Sequence, residues 1–552
     1  MITQDITNLL KQDKTALASN EISQELINTI DQIILNNNTQ ITNEVYSIYK
    51  KFVSMKQDAP VSMKNELFRV MKNFISEKKQ QNELIDALFM CRFLIVKSEL
   101  QPSTFYDIAE ILTSLNQQQT ACEFLKLYET HETNKPLKLL TLGNFYNLQL
   151  KDYKSAIKYY EQYLKIDETK SVIYTILGSL YAKEYGELSL KDQIYYFEKA
   201  YKLKPQNRLI LHSLAFNYEK LGDKYIADKF YRELLENNPT PTDYYNYGAF
   251  LISCGEFQKG HKYLTYRFQT DSKDLQYPLS NDIEHKWDFK SDISDKTLLV
   301  HYEQGFGDTF MYCRFLPELK KLAKKVIFIA QKEVFDLINS SQTISNGIEI
   351  IPEGTDVNYD VHMALLDTPF ALNTTSAKLP LCDKYLEVSS KQVQEYSQKY
   401  IKKSNNLKVG ISYHGNKNAN YSGRDIDFSR FKKLFALKNI DFYSFSQDED
   451  SESDIISLGH TFQNFTDTAC ALKNMDIIIS TDNVILNLAG AMGIKTFGLF
   501  NKHTNFRWFK LEKDTGWYNS VTPLQVEDNN CWAPIFSELI NILSEYTNKK
   551  NI

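Results

Sequence analysis

Two stretches of this chain place reactive side chains where backbone geometry could use them. In DIIISTDNVILNLAGAMGIKTFGLF, residues 476–500, an apolar run ends in Thr481, Asp482 and Asn483. A small-residue helix follows as far as Gly493, and then a second apolar run. This is the pattern of a βαβ unit, whose helix start offers N–H groups and a positive dipole end to an anion. A phosphate-bearing ligand is the expectation; a parallel-sheet unit with no ligand is the alternative. In TLLVHYEQGFGDTF, residues 297–310, Asp308 follows Gly305, Phe306 and Gly307 at a strand-to-helix turn. The glycines let backbone and substrate approach, and the carboxylate can accept a hydroxyl proton or cap the helix. The loop is not a dinucleotide fingerprint, because the third glycine of that motif would fall at Phe310.

Further polar residues stand at the ends of neighbouring apolar runs. Lys417 and Arg424, in the loop after LKVGISYHG (407–415), could clamp a phosphate with charge-assisted hydrogen bonds or remain solvated. Gln447, closing IDFYSFSQ, and Asp467 with Thr468 could meet a nucleoside base or ribose, or cap helices. Both readings of each residue are open at this point.

These residues must be carried by elements, and the hydrophobic period changes along the chain to supply them. Residues 1–100 have helical periodicity without a motif, as in Leu84, Leu88, Phe89, Cys91 and Leu94. Over 101–270 a helix-pair grammar recurs. Leu142, Gly143 and Tyr146 precede Ala156, Tyr160 and Tyr163 with one residue too many between the helices. Leu214, Ala215, Tyr218, Gly222, Ala227, Tyr231, Leu234 and Pro239 keep the ideal spacing. From Pro205 to Pro239 is 34 residues, and from Gly222 to Gly255 is 33. A small residue at each crossing lets two helices approach, and each pair buries its open face on the next. Residues 271–296 read as a polar linker, 297–389 as one α/β unit, 390–406 as a polar separator, and 407–552 as a second α/β unit. Within the first unit an amphipathic helix is expected over 310–324.

Composition narrows the function classes. A formal charge of −5, with 64 basic against 69 acidic side chains, leaves no electrostatic footprint for nucleic acid. Seven cysteines at no metal or redox spacing favour a reducing cytoplasm. The amino end lacks a signal-peptide pattern, and no apolar run is long enough to span a bilayer.

The 33–34-residue period resembles tetratricopeptide repeats. Trp287, LLVHYEQGFGDTFMYCRF (298–315), VGISYHGN (409–416), FTDTACALKNMDIIISTDNVILNLAGAMG (465–493), FRWF (506–509), GWY (516–518) and Trp532 are similar, in order and spacing, to a second group. It comprises the bacterial proteins that join such repeats to a GT-B glycosyltransferase domain like the ADP-heptose:lipopolysaccharide heptosyltransferases. The resemblance implies an α solenoid followed by two Rossmann-like domains, a nucleotide-sugar donor held mainly by the second, inversion at the anomeric carbon, and no metal or cofactor. It implies Asp308 as the base. It also favours Arg424 beside the donor, where the residues read from position, Gly305, Gly307, Lys417, Gln447, Thr481, Asp482, Asn483 and Asn487, are expected as well, and Arg507, Trp508, Trp517 and Tyr518 look like its packed aromatic tail. The expected partner is a protein acceptor, such as flagellin or a surface protein, held by the repeats. Asn487 stands where the related proteins carry histidine; asparagine donates a hydrogen bond but neither carries charge nor relays a proton. A non-catalytic scaffold, and a transferase acting on a saccharide or lipid acceptor, are the alternative expectations.

Overall fold

The computed structural model describes residues 10, 22–37, 41–53, 61–97, 101–270, 279, 282–376, 378–415, 424–446, 455–509, 511, 514–528 and 531–550. Two compact units divide the chain between Asn217 and Tyr218. That division falls inside the repeat array, earlier than the change of hydrophobic period.

The first unit is helical. Helices Gln24–Asn36, Asn43–Val53, Val61–Gln80 and Leu84–Lys97 precede the repeats, and Arg92 reaches Asp31 through two bonds of 2.8 and 3.3 Å in their interior. Helix pairs follow at Pro102–Ser114 with Gln118–His131, Lys135–Phe145 with Tyr153–Leu164, and Ser171–Tyr185 with Leu190–Leu203. The surplus residue in the second pair is absorbed by a π-helical turn, Tyr146–Leu150, closed by Lys151 at φ 54°. A single π turn takes up one residue without disturbing the helices on either side. At the crossing of this pair a Cβ on Gly143 would lie 2.9 Å from the Tyr160 ring, so only glycine allows the approach.

The second unit begins with Lys224–Leu235, Pro241–Ser253 and Phe257–Leu264 and continues into two parallel sheets. Strands β1 (Thr297–His301), β2 (Lys325–Ala330), β3 (Glu349–Pro352) and β4 (Val361–Ala364) form a sheet of order β3-β2-β1-β4. Strands β5 (Leu407–Ser412), β6 (Ile440–Ser444), β7 (Ile456–Ser457), β8 (Ile477–Thr481), β9 (Thr496–Phe500) and β10 (Val521–Gln525) form another, of order β10-β9-β8-β5-β6-β7. The apolar runs are continuous because parallel strands are buried on both faces. Leu298 and Val300 of β1 point into the main core, whereas Leu299 packs with Ile327, Ile329 and Ile351 on the opposite face.

Two expectations are modified. The 310–324 helix begins earlier, at Phe306, and is broken: Phe306–Tyr312 gives way to a 3-10 turn, Cys313–Phe315, and then to Leu316–Leu319. Pro317 lies at the start of that last piece, where its missing N–H is tolerated. The end of the polar linker is also structured. Lys286 forms a parallel bridge with His362 of β4, and Trp287 N donates to His362 O at 2.9 Å. No helix among the described residues is long and apolar enough to cross a membrane.

Candidate functional site

Asp308 does not cap its helix. Gly305 is the N-cap residue, which sets Asp308 inside the first turn, with its own N–H donating to Gly305 O at 3.0 Å. Its carboxylate meets Arg507, whose Nε lies 2.6 Å from Oδ1 with both side chains largely buried. The same guanidinium donates to Gln304 Oε1 at 2.5 Å and to Asn505 Oδ1 at 2.9 Å. Its backbone carbonyl accepts from Trp517 Nε1 at 2.7 Å. Arg507, expected to be packing, is thus the side chain that orients the candidate base. Gln304, which sequence reasoning passed over, buttresses it from a left-handed backbone at φ 59°.

The βαβ unit forms as its pattern predicts, with β8 and β9 paired in parallel around the Val484–Ala491 helix. Asn483 is the helix N-cap: its Oδ1 accepts from Ile485 N and Leu486 N at 2.9 and 3.4 Å. Its Nδ2 donates to Ser412 Oγ, His414 O and Thr481 Oγ1. The side chain thus ties the β8 turn to the end of β5, and the first helix amides serve Asn483 itself. Thr481 is fully buried beneath it.

Asp482 is the partly buried acid of this turn. Burial pushes its carboxyl above the usual range; Arg424, a bond from Trp508, and Arg507 oppose that, and the charge of Asp308 adds to it. Arg424 Nη1 also donates to Asp482 O at 3.3 Å. Two carboxylates and two guanidiniums, drawn from the β1 loop, the β8 turn and the segments following β5 and β9, therefore share one electrostatic neighbourhood.

Gly307 and Asn487 bring the two halves together. A Cβ on Gly307 would lie 3.2 Å from Asn487 Nδ2 and 3.7 Å from Val484 Cα, so the glycine admits a helix rather than a substrate. Asn487 is buried, donating to Asn483 O at 3.1 Å and accepting from Tyr518 OH at 3.0 Å. Both of its polar atoms are engaged within the protein.

Asp467 and Thr468 lie in the first turn of a helix whose N-cap is Asn464, with Asn464 Oδ1 accepting from Thr466 N and Asp467 N at 2.9 and 3.2 Å. Asp467 accepts from Gln463 N at 2.9 Å, and Thr468 Oγ1 donates to Asn464 O at 3.3 Å at the start of the Phe465–Lys473 helix. Asp467 also lines a separate pocket of about 510 Å³ with Tyr396, Lys399, His460 and Gln463. Lys417 and Gln447 lie outside the described residues. His414, not singled out from the sequence, lies two residues beyond β5 with its Nε2 2.7 Å from Ser446 Oγ.

Known proteins match this chain in part. Protein FlbA of Caulobacter vibrioides is 21% identical over 436 residues, spanning 72% of this chain and 71% of its own. A solved glycosyl transferase family 9 structure from Veillonella parvula is 10% identical with a TM-score of 0.33, covering 43% of this chain and 88% of that one. A crystal structure of MamA is 18% identical with a TM-score of 0.26, covering 30% of this chain and 93% of that one. The tetratricopeptide repeat family model matches residues 139–170. The chain therefore carries a tetratricopeptide repeat, followed by a parallel-sheet α/β region.

Proposed function

We propose that this chain is a GT-B glycosyltransferase that moves a sugar from a nucleotide-sugar donor to a protein acceptor selected by its repeats. The observation that carries the reading is the placement of Asp308: a carboxylate just beyond the carboxyl end of β1, oriented by Arg507 rather than spent on capping its helix. Ligands of parallel α/β sheets bind at such strand ends.

In this reading Asp308 takes the proton of the acceptor hydroxyl as its oxygen attacks the anomeric carbon, while the bond to the diphosphate breaks on the opposite face. The sugar is thereby inverted. Arg424 is the cation available to the departing diphosphate, with Lys417 a second by sequence position, while Arg507 stays with Asp308. The helix start at Val484 contributes its dipole, whereas its first amides remain with Asn483. Repeats of this kind commonly hold an extended segment of another protein, which supports a polypeptide acceptor.

The test is incubation of the full chain with UDP-, ADP-, GDP- and CMP-sugars and a candidate acceptor such as flagellin, followed by intact-mass measurement. The expected result is an acceptor mass increased by one sugar, with release of free nucleotide. Nucleotide-sugar binding without transfer or hydrolysis would favour the scaffold reading, to which the internally engaged Asn487 is equally suited.

A further inference from the structure

Arg267 lies in the 3-10 turn Thr265–Gln269, directly after the Phe257–Leu264 helix that closes the last repeat. A guanidinium here would ordinarily be solvated, yet this one is fully buried. Its Nε and Nη2 donate in parallel to Glu303 Oε2 and Oε1 at 2.8 and 2.5 Å. Its Nη1 donates to Asp367 Oδ1 at 2.6 Å and to Leu264 O at 2.9 Å. Glu303 and Asp367 follow the carboxyl ends of β1 and β4, two adjacent strands, and Glu303 Oε1 also accepts from Leu366 N at 3.0 Å. A buried triad of charges is a poor source of stability compared with apolar side chains of the same volume. Its bidentate geometry does fix where each partner sits.

Glu303 immediately precedes Gln304, whose left-handed backbone is one that a non-glycine residue holds only when its surroundings impose it. Gln304 in turn accepts from Arg507, the partner of Asp308. The last repeat grips the other side of that pair as well. Phe257 packs on Phe509 and Trp517, with ring centroids 5.5 and 5.7 Å apart, and Trp517 donates to the Arg507 carbonyl. His261, one turn on, sits 3.3 Å from Tyr312 OH at the end of the helix that bears Asp308.

We propose that Arg267 is a positioning residue for the candidate base. The final repeat holds the 303–308 loop and the Arg507 segment in register, and so belongs to the catalytic machinery rather than to a tethered recognition module. This rests on the reading of Asp308 as the base.

The experiment uses the full chain with Arg267→Lys, which keeps a charge but loses the fork, and with Glu303→Gln, which keeps shape and acceptor. Hydrogen–deuterium exchange is followed over residues 303–309 and over strands β1 and β2. The expected result is exchange about ten-fold faster in the loop, with both strands unchanged. With whichever of the UDP-, ADP-, GDP- or CMP-sugars is turned over, kcat falls about a hundred-fold in Arg267→Lys while the donor KM stays within about two-fold. Loop exchange equal to that of the parent, or acceleration spread evenly over loop and strands, overturns the proposal. If Arg267→Lys does not fold, Glu303→Gln is judged by the same exchange criterion. An Asp308→Ala chain that turns over like the parent removes the base reading, whereas the exchange result judges Arg267 by itself.

Discussion

Arg507 Nε lies 2.6 Å from Asp308 Oδ1, and that contact joins the loop after β1 to the segment after β9. The guanidinium is held in turn by Gln304 and Asn505 through its two Nη atoms, so the carboxylate faces a fixed cation across a single Nε contact.

Replacing Arg507 separates fork from charge. Arg507→Lys retains a cation but loses the bonds to Gln304 and Asn505, and kcat is expected to fall about ten- to a hundred-fold with little change in donor KM. Arg507 also opposes the effect of burial on Asp482, so its removal raises that carboxyl further. Carbon-13 NMR titration of the Asp482 carboxyl should place its protonation at higher pH in Arg507→Met than in the parent, and an unchanged titration would contradict that opposition.

The approach of Gly307 to Asn487 is testable by a double-mutant cycle. A Cβ on Gly307 would stand 3.2 Å from Asn487 Nδ2, and the branches of valine would stand closer still. Gly307→Val is expected to destabilise by about 1–3 kcal/mol in urea melts. Combining it with Asn487→Ala should recover part of that loss, with a coupling of about 0.5 kcal/mol or more. Strict additivity would mean that the two helices do not meet here.

Buried histidines make the second unit acid-sensitive. Burial is the main cause that holds both His261 and His301 down to about 3, from an ordinary 6.5. Each is neutral in the fold and charges on unfolding, so the stability they contribute is complete above about pH 6.5. It is lost as pH falls from there towards 3. Two protons give at most about 2.7 kcal/mol per pH unit in that window. Denaturant midpoints at pH 7.5, 6 and 5 should fall progressively, and midpoints flat across this range would contradict neutral burial.

Local signals made the architecture readable. The 34-residue spacing, the strand runs around Leu298 and Ile478, and the turn before Val484 each depend on residues close in sequence. Even the surplus residue after Tyr146 was visible, although not that a π turn would absorb it. The site was legible only as single residues. Asp308 and Arg507 stand 199 positions apart, and nothing in FRWF marks its arginine as the partner of a distant acid. Asn483 and Asn487 read as candidate ligand donors, and their bonds to Ser412, His414 and Tyr518 were not visible in the sequence because those partners lie far along the chain. Arg267 carried no signal, since a lone arginine after a repeat helix is ordinarily solvated.

The most direct test of the account is single-turnover sugar transfer or donor hydrolysis by Asp308→Asn, using the nucleotide-sugar that raises the melting temperature of the parent chain. The substitution preserves shape while removing both the charge that faces Arg507 and the ability to take a proton. The account predicts undiminished thermal stabilisation by the donor together with a rate reduced about a thousand-fold. A rate within about two-fold of the parent would contradict it.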